Sequence, residues 1–152
     1  MGSKVMFKPR TSTEAIFVHC SATKPSMDVG RREIEMWHKQ QGWLAVGYHF
    51  IIKRDGTVEE GRPVDVVGSH VKDWNHKSVG VCLVGGIDDK AKFAANFTPA
   101  QMQSLKVKLD ELKALYPQAV IKAHHDVAPK ACPSFDLGHW LKTGELVTSD
   151  RG

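Results

Sequence analysis

Short apolar runs alternate with helical segments along this chain, and no other sequence feature constrains its fold as strongly. The apolar runs have the length of buried strands rather than of helices. They lie at residues 15–20, 48–53, 78–84 and 119–123. Helical patterns lie between and after them, at residues 28–41, 98–116 and 136–142. Strands interleaved with helices predict an α/β fold in a single domain, with a central mixed β-sheet flanked by helices.

The clearest local signals are a hairpin turn and a capped helix. Asp55-Gly56 follows the second apolar run and supplies the positive φ angles of a tight turn between two strands. The helix at 98–116 has Thr98 as its cap and Gln101 three residues later, which together form a capping box. The run at 78–84 is apolar on both faces, which predicts a central strand.

Length and charge place the chain in a broad class without choosing a partner. The 152 residues fit one domain, residues 1–152, in which we expect residues 1–12 to be loosely ordered. The apolar and charged fractions exclude a disordered, collagen-like or coiled-coil protein. The formal net charge of +4 favours an anionic partner, such as cell wall, nucleic acid or an acidic protein face.

The cysteine count and the N-terminus bear on localisation. Three cysteines cannot all pair within the chain, which favours a reducing compartment over a disulfide scaffold. Residues 1–10 lack the apolar stretch of a signal peptide, and no run approaches the length of a membrane span. We therefore expect a monomer that is made in the cytoplasm, with no insertion into the membrane.

Three residues of metal-ligand type follow strands or lie near their ends: His19, His124 and Cys132. Zinc prefers imidazole and thiolate donors, and a catalytic site uses three of them. A histidine at a strand end is more often simply hydrogen-bonded, and spacing does not choose between His124 and His125. Lys130 strengthens the case for Cys132, because in an extended segment both side chains point the same way and a cation favours a thiolate.

Other candidates for the site are an aromatic residue and several loop residues. Tyr48 is either an ordinary cross-strand aromatic or, near a metal, a hydrogen-bond donor to the reacting groups. His70 and Trp74 lie in a loop rich in Gly, Ser and Asn, and with His49 they are the candidates for substrate binding. Solvated loop histidines and core tryptophans are the simpler alternatives for these residues.

Several other chemistries lack their sequence signals. Gly85-Gly86 alone does not make a phosphate-binding loop, and no G-x-S-x-G motif is present. Basic residues are spread along the chain rather than grouped with aromatic residues, so we expect no direct nucleic-acid binding.

Three separated motifs carry a resemblance to a known family. They are AIFVHCSAT at residues 15–23, VGYHFII at 46–52 and AHHDVAPKACP at 123–133. In this order they resemble the type 2 N-acetylmuramoyl-L-alanine amidases, and the resemblance extends from Phe7 to the end of the chain. It implies a mixed sheet with helices on its faces. It also implies hydrolysis of the amide bond between N-acetylmuramic acid and L-alanine in peptidoglycan, with one zinc ion per chain.

The resemblance also assigns roles to individual residues. His19, His124 and Cys132 correspond to the zinc ligands of the family. Tyr48 and Lys130 correspond to its two catalytic positions, where they would stabilise the oxyanion and pass a proton to the leaving amine. Which of the two carries the proton is left open.

Among these amidases the resemblance is to the phage endolysins, which implies two further properties. The enzyme would accumulate in the host cytoplasm and reach the periplasmic cell wall, and so lyse the host, only after the membrane is permeabilised. It would also bind and inhibit the single-subunit RNA polymerase of the phage. The alternatives are a peptidoglycan-recognition protein that binds without cleaving, and a polymerase regulator with vestigial hydrolysis. The complete set of ligand residues favours the enzyme.

Overall fold

The computed structural model describes residues 7–42 and 45–148. Its strands are β1 (Ala15–Cys20), β2 (Phe50–Ile52), β3 (Val58–Glu60), β4 (Ser78–Leu83) and β5 (Val120–Ala123). Its helices are α1 (Arg31–Gln40), α2 (Pro99–Leu115) and α3 (Leu137–Thr143), and single 3-10 turns lie at Asn75–Lys77 and His124–Asp126. The strands and helices that the sequence predicts are all present, with ends that differ by a few residues.

The strands form one mixed sheet in the order β3-β2-β4-β1-β5. Parallel pairing joins β4 to β1, β1 to β5 and β2 to β4, whereas β2 and β3 form the antiparallel hairpin around Asp55-Gly56. The central position of β4 agrees with its burial on both faces, because every residue from Ser78 to Leu83 is buried. The predicted mixed sheet is therefore confirmed.

The two faces of the sheet are covered by different helices. The larger core packs α2 and α3 against one face, with Ile16, Val18, Val79, Val81, Leu105, Leu109, Leu112 and Trp140 among its members. On the opposite face, α1 places Ile34 against Cys82. Side chains alternate along a strand, so Phe17 and His19 of β1 point to this second face. The register pairs Phe17 with Gly80 and His19 with Cys82, which brings these four residues together.

The predicted capping box of α2 is present. The Thr98 hydroxyl accepts a hydrogen bond from the Gln101 amide at 3.1 Å, and the Thr98 amide donates to the Gln101 side chain at 2.9 Å. Met102 and Leu105 begin the apolar side that packs on the sheet. Within the described ranges, no helix has the length and apolar character needed to cross a bilayer.

Backbone contacts join part of the 1–12 segment to the domain, and its loose order stays a prediction. Residues 1–6 lie outside the described residues. In residues 7–12, the Arg10 amide donates to the Asp65 carbonyl at 2.7 Å, and Pro9 forms a β-bridge with Val66. These bonds satisfy backbone groups that would otherwise need water, so residues 7–10 are fixed to the 65–67 segment.

Candidate active site

The predicted ligand residues meet at the carboxyl ends of two neighbouring parallel strands. Val18 of β1 pairs with Ala123 of β5, so His19 and His124 follow at the same edge of the sheet. Their ring centroids are 4.7 Å apart. Cys132 returns to this edge, with its Sγ 3.8 Å from His19 Nδ1. The ligand atoms of the three residues all lie within 4.8 Å of one another.

Backbone hydrogen bonds hold Cys132 in this position. The Cys20 amide donates to Cys132 Sγ at 3.1 Å, and the His125 amide donates to the Cys132 carbonyl at 2.9 Å. Burial raises the pKa of the Cys132 thiol well above its usual value, and contacts with Cys20 add to the rise. Without a cation nearby Cys132 is therefore a thiol, and the Cys20 amide is placed to stabilise the thiolate that a metal would require.

The two histidines offer neutral imidazoles. Burial lowers the pKa of His19 well below its usual value, and the neighbouring histidines lower it further. Burial and the charge of Lys130 lower the pKa of His124 to about 4. Both rings are therefore neutral at neutral pH, with a nitrogen lone pair available. Two neutral imidazoles and one thiol within 4.8 Å fit the donor set of a three-ligand zinc site.

Sequence spacing does not decide whether His124 or His125 is the metal-ligand candidate, but the structure distinguishes them. The 3-10 turn at His124–Asp126 directs the two side chains differently. His124 joins His19 and Cys132, whereas His125 Nδ1 lies 3.5 Å from the Ala131 carbonyl oxygen. His125 therefore contacts the backbone of the segment that carries Cys132.

A cleft of about 830 Å³ is lined by His124 of the cluster and by both predicted catalytic residues, Tyr48 and Lys130. The Tyr48 ring lies 5.0 Å from the His19 ring. Burial, followed by the nearby Cys82 thiol, raises the pKa of Tyr48 well above its usual value, so this residue is a neutral phenol. Lys130 is exposed on the cleft wall, and its charge acts on His124.

The three residues predicted to bind substrate occupy different places. His70 lines the cleft. His49 is 0% exposed and lies behind the wall, where Nδ1 accepts from the Gly80 amide and Nε2 donates to the Val66 carbonyl. The Trp74 indole packs against the Phe17 ring at 5.4 Å, while its loop neighbours line the cleft. Substrate binding by His70 and Trp74 stays a prediction, and the burial of His49 leaves it no surface for such a contact.

A buried arginine, which the sequence does not mark, connects Ser69 of the cleft lining to the segment that precedes Tyr48. Arg62 is 6% exposed, and its guanidinium donates to the Val46 carbonyl at 2.9 Å and to the Ser69 hydroxyl at 3.1 Å. On the same wall His38 Nδ1 accepts from the Gly47 amide at 2.9 Å. Both side chains therefore hold the segment that leads into Tyr48. They follow no motif or periodicity that would single them out.

Known proteins are similar to this chain in sequence and in fold. A family model described as N-acetylmuramoyl-L-alanine amidase matches residues 9–135. The chain is 73% identical to the endolysin of Enterobacteria phage T3 and 71% identical to that of Escherichia phage T7, each over 150 residues that cover 99% of both chains. A solved structure of the endolysin amidase LysCS from Clostridium intestinale is 31% identical. It has a TM-score of 0.73, and the match covers 85% of this chain and 80% of that one.

Proposed function

Because the chain belongs to the N-acetylmuramoyl-L-alanine amidase family, we propose that it is a zinc-dependent phage endolysin. It hydrolyses the amide bond between N-acetylmuramic acid and L-alanine in bacterial peptidoglycan. The amidase activity and the endolysin class follow from the family and from the phage relatives. The observation that carries the zinc proposal is the cluster of His19, His124 and Cys132 ligand atoms within 4.8 Å, of which His124 also lines the cleft.

The charge of the ligand set suits a hydrolytic metal. Two neutral imidazoles and one thiolate would leave a bound Zn²⁺ with a net positive charge, and three protein ligands leave a position open. Bound zinc supplies polarisation of the scissile carbonyl and a lowered pKa for a water molecule. His19, His124 and Cys132 would hold the ion, and the Cys20 amide would stabilise the thiolate.

Tyr48 and Lys130 act on the charge and the protons of the reaction. The neutral phenol of Tyr48 is placed beside His19, where it donates a hydrogen bond to the carbonyl oxygen as negative charge develops there. Lys130 adds a positive charge on the wall near His124. One of these two groups then gives the leaving nitrogen its proton, which amide cleavage requires.

Elemental analysis combined with a lysis assay tests the zinc proposal. We expect about one zinc per chain, and lysis of chloroform-treated Gram-negative cells that stops on chelation and returns when zinc is added. Full lysis by well-folded, metal-free protein would exclude a zinc-dependent mechanism. Binding of peptidoglycan without zinc and without cleavage would instead support the recognition-protein alternative.

A second role, binding and inhibition of the phage's single-subunit RNA polymerase, is proposed from the same resemblance. Its support is the near-full-length identity to phage endolysins, which extends over surfaces outside the cleft. We expect the cognate polymerase to retain the protein in a pull-down assay and to transcribe less in its presence. Deletion of residues 2–6 tests the N-terminus while leaving the Arg10–Asp65 bond in place.

The amidase activity serves as the control for that deletion. Loss of polymerase binding with lysis intact would place the contact in residues 2–6. Failure of the complete chain to bind the polymerase would refute the second role and leave the amidase unaffected. The proposed site of action is the periplasmic cell wall, which the enzyme reaches from the host cytoplasm once the membrane is permeabilised.

A further inference from the structure

A line of hydrogen bonds leads from the metal-facing histidine to a peptide carbonyl. His19 Nε2 lies 2.9 Å from His70 Nδ1. His70 Nε2 lies 3.4 Å from the Ser78 hydroxyl oxygen, and that hydroxyl donates to the Trp74 carbonyl at 2.8 Å. The line therefore connects β1, the 68–75 loop and β4 on the same face of the sheet.

The Trp74 carbonyl, at the end of this line, determines which atom donates and which accepts in every hydrogen bond before it. A carbonyl oxygen only accepts, so the single hydroxyl hydrogen of Ser78 is used on Trp74. The Ser78 oxygen then accepts from Nε2–H of His70, which leaves the lone pair of His70 on Nδ1. That lone pair accepts from Nε2–H of His19. The lone pair of His19 is consequently on Nδ1, the atom that lies 3.8 Å from Cys132 Sγ.

The backbone around the His70 ring leaves room for it in this position. A Cβ atom at Gly80 would lie 2.8 Å from the His70 ring, and one at Gly68 would lie 2.7 Å from it. Both distances are too short for a real contact, so the ring fits only because these two residues are glycines. The Asn75 side chain accepts from the backbone amides of His70 and Val71 at 2.7 and 2.9 Å, which fixes the loop at this point.

We propose that His70 is a positioning residue which, with Ser78, holds His19 in its Nε2–H tautomer and so directs the Nδ1 lone pair to the metal. A neutral imidazole otherwise divides between two tautomers. In the other tautomer Nδ1–H would face Cys132, and the proton would have to move before the metal could bind. The inference rests on the proposed zinc function, and it adds a role for His70 that differs from substrate contact.

The first experiment uses the metal-free wild-type protein and long-range ¹H–¹⁵N NMR of its histidine rings. We expect His19 to carry its proton on Nε2 before any metal is added. Replacement of Ser78 by alanine should weaken this preference, because His70 Nε2 then loses its contact with the Ser78 hydroxyl. A wild-type His19 protonated on Nδ1 would overturn the proposal. Since no metal is present, this result does not depend on whether the chain uses zinc.

The second experiment compares zinc affinities by competition with a chelator. His70→Leu should bind zinc more weakly by roughly 10–100-fold, the range found when an outer partner of a ligand histidine is removed. His70→Asn keeps an oxygen near the position of Nδ1 and should retain most of the affinity. Ser78→Ala should fall between them, and it serves as the test should His70→Leu fail to fold.

The zinc affinities of the two His70 variants separate positioning from packing, and thermal unfolding of the metal-free variants checks that each one is folded. If His70 only fills space, His70→Leu will bind zinc as tightly as the wild type does, or the zinc affinities of His70→Asn and His70→Leu will fall by the same factor. Either result overturns the proposal. Absence of zinc binding in the wild type would instead refute the zinc-dependent function, and the tautomer of His19 would still be read from the metal-free protein.

Discussion

His124→Ala is expected to lose zinc binding and amidase activity together, while His125→Ala keeps both. The two residues are adjacent and chemically identical, but only His124 places a ring nitrogen with His19 and Cys132. The His125 ring faces the Ala131 carbonyl, and its backbone amide, which supports Cys132, is retained in an alanine variant. The pair therefore forms a matched comparison in which the same side chain is removed from two adjacent positions.

The expected size of the difference follows from what the metal supplies. Loss of one of three ligands should weaken zinc binding by more than the roughly 10–100-fold that loss of an outer partner costs. A metal that contributes several kcal/mol to the transition state corresponds to a loss of activity of about a thousand-fold or more. Elemental analysis and the rate of peptidoglycan cleavage measure the two quantities. Retained zinc and activity in His124→Ala, or their loss in His125→Ala, would contradict the assignment.

The sequence predicts the strands and helices because each of them is marked by residues that lie close together in the chain. The capping box of α2 and the Asp-Gly turn depend on residues within a few positions of each other, and both are present. The burial of β4 on both faces was equally visible in its sequence. The order of the strands in the sheet is not visible in the sequence. In the sheet β1 lies between β4 and β5, although neither of these strands is next to β1 in the chain. That order depends on packing between distant segments.

In the site, too, the sequence predicts the identity of the residues but not their arrangement. The resemblance assigned its ligands and catalytic residues, but the bonds that orient them join residues far apart in sequence, such as His19 and His70. No periodicity encodes such a bond, since it depends on the register of β1 and β4 and on the course of the 68–75 loop. A local signal does separate two of the site residues. Tyr48 and His49 are consecutive residues leading into β2, so if Tyr48 faces the cleft, His49 points away from it.

The burial of His49 predicts a stability that depends on pH. The ring donates to Val66 and accepts from Gly80, which requires the neutral form, and burial lowers its pKa from 6.5 to about 4. Above pH 6.5 the His49 ring is neutral in both the folded and the unfolded chain, so the pKa shift does not change the free energy of unfolding. As the pH falls below 6.5 the unfolded chain binds a proton that the folded chain does not, and stability is lost until the pH reaches about 4.

We therefore expect His49→Gln to lower stability at neutral pH but to flatten its dependence on pH. Denaturant unfolding of chelator-treated protein between about pH 7.5 and pH 4.5 should show the wild type losing roughly 2–3 kcal/mol more than the variant does. Ile51→Val is the control, because it removes a buried methyl group from β2, the strand that begins directly after His49, and changes no titrating group. It should shift the whole curve by a constant of about 1 kcal/mol. Parallel curves for the wild type and His49→Gln would mean that His49 gains its proton equally easily in the folded and unfolded chains. In that case the bonds to Val66 and Gly80 would not require a neutral ring.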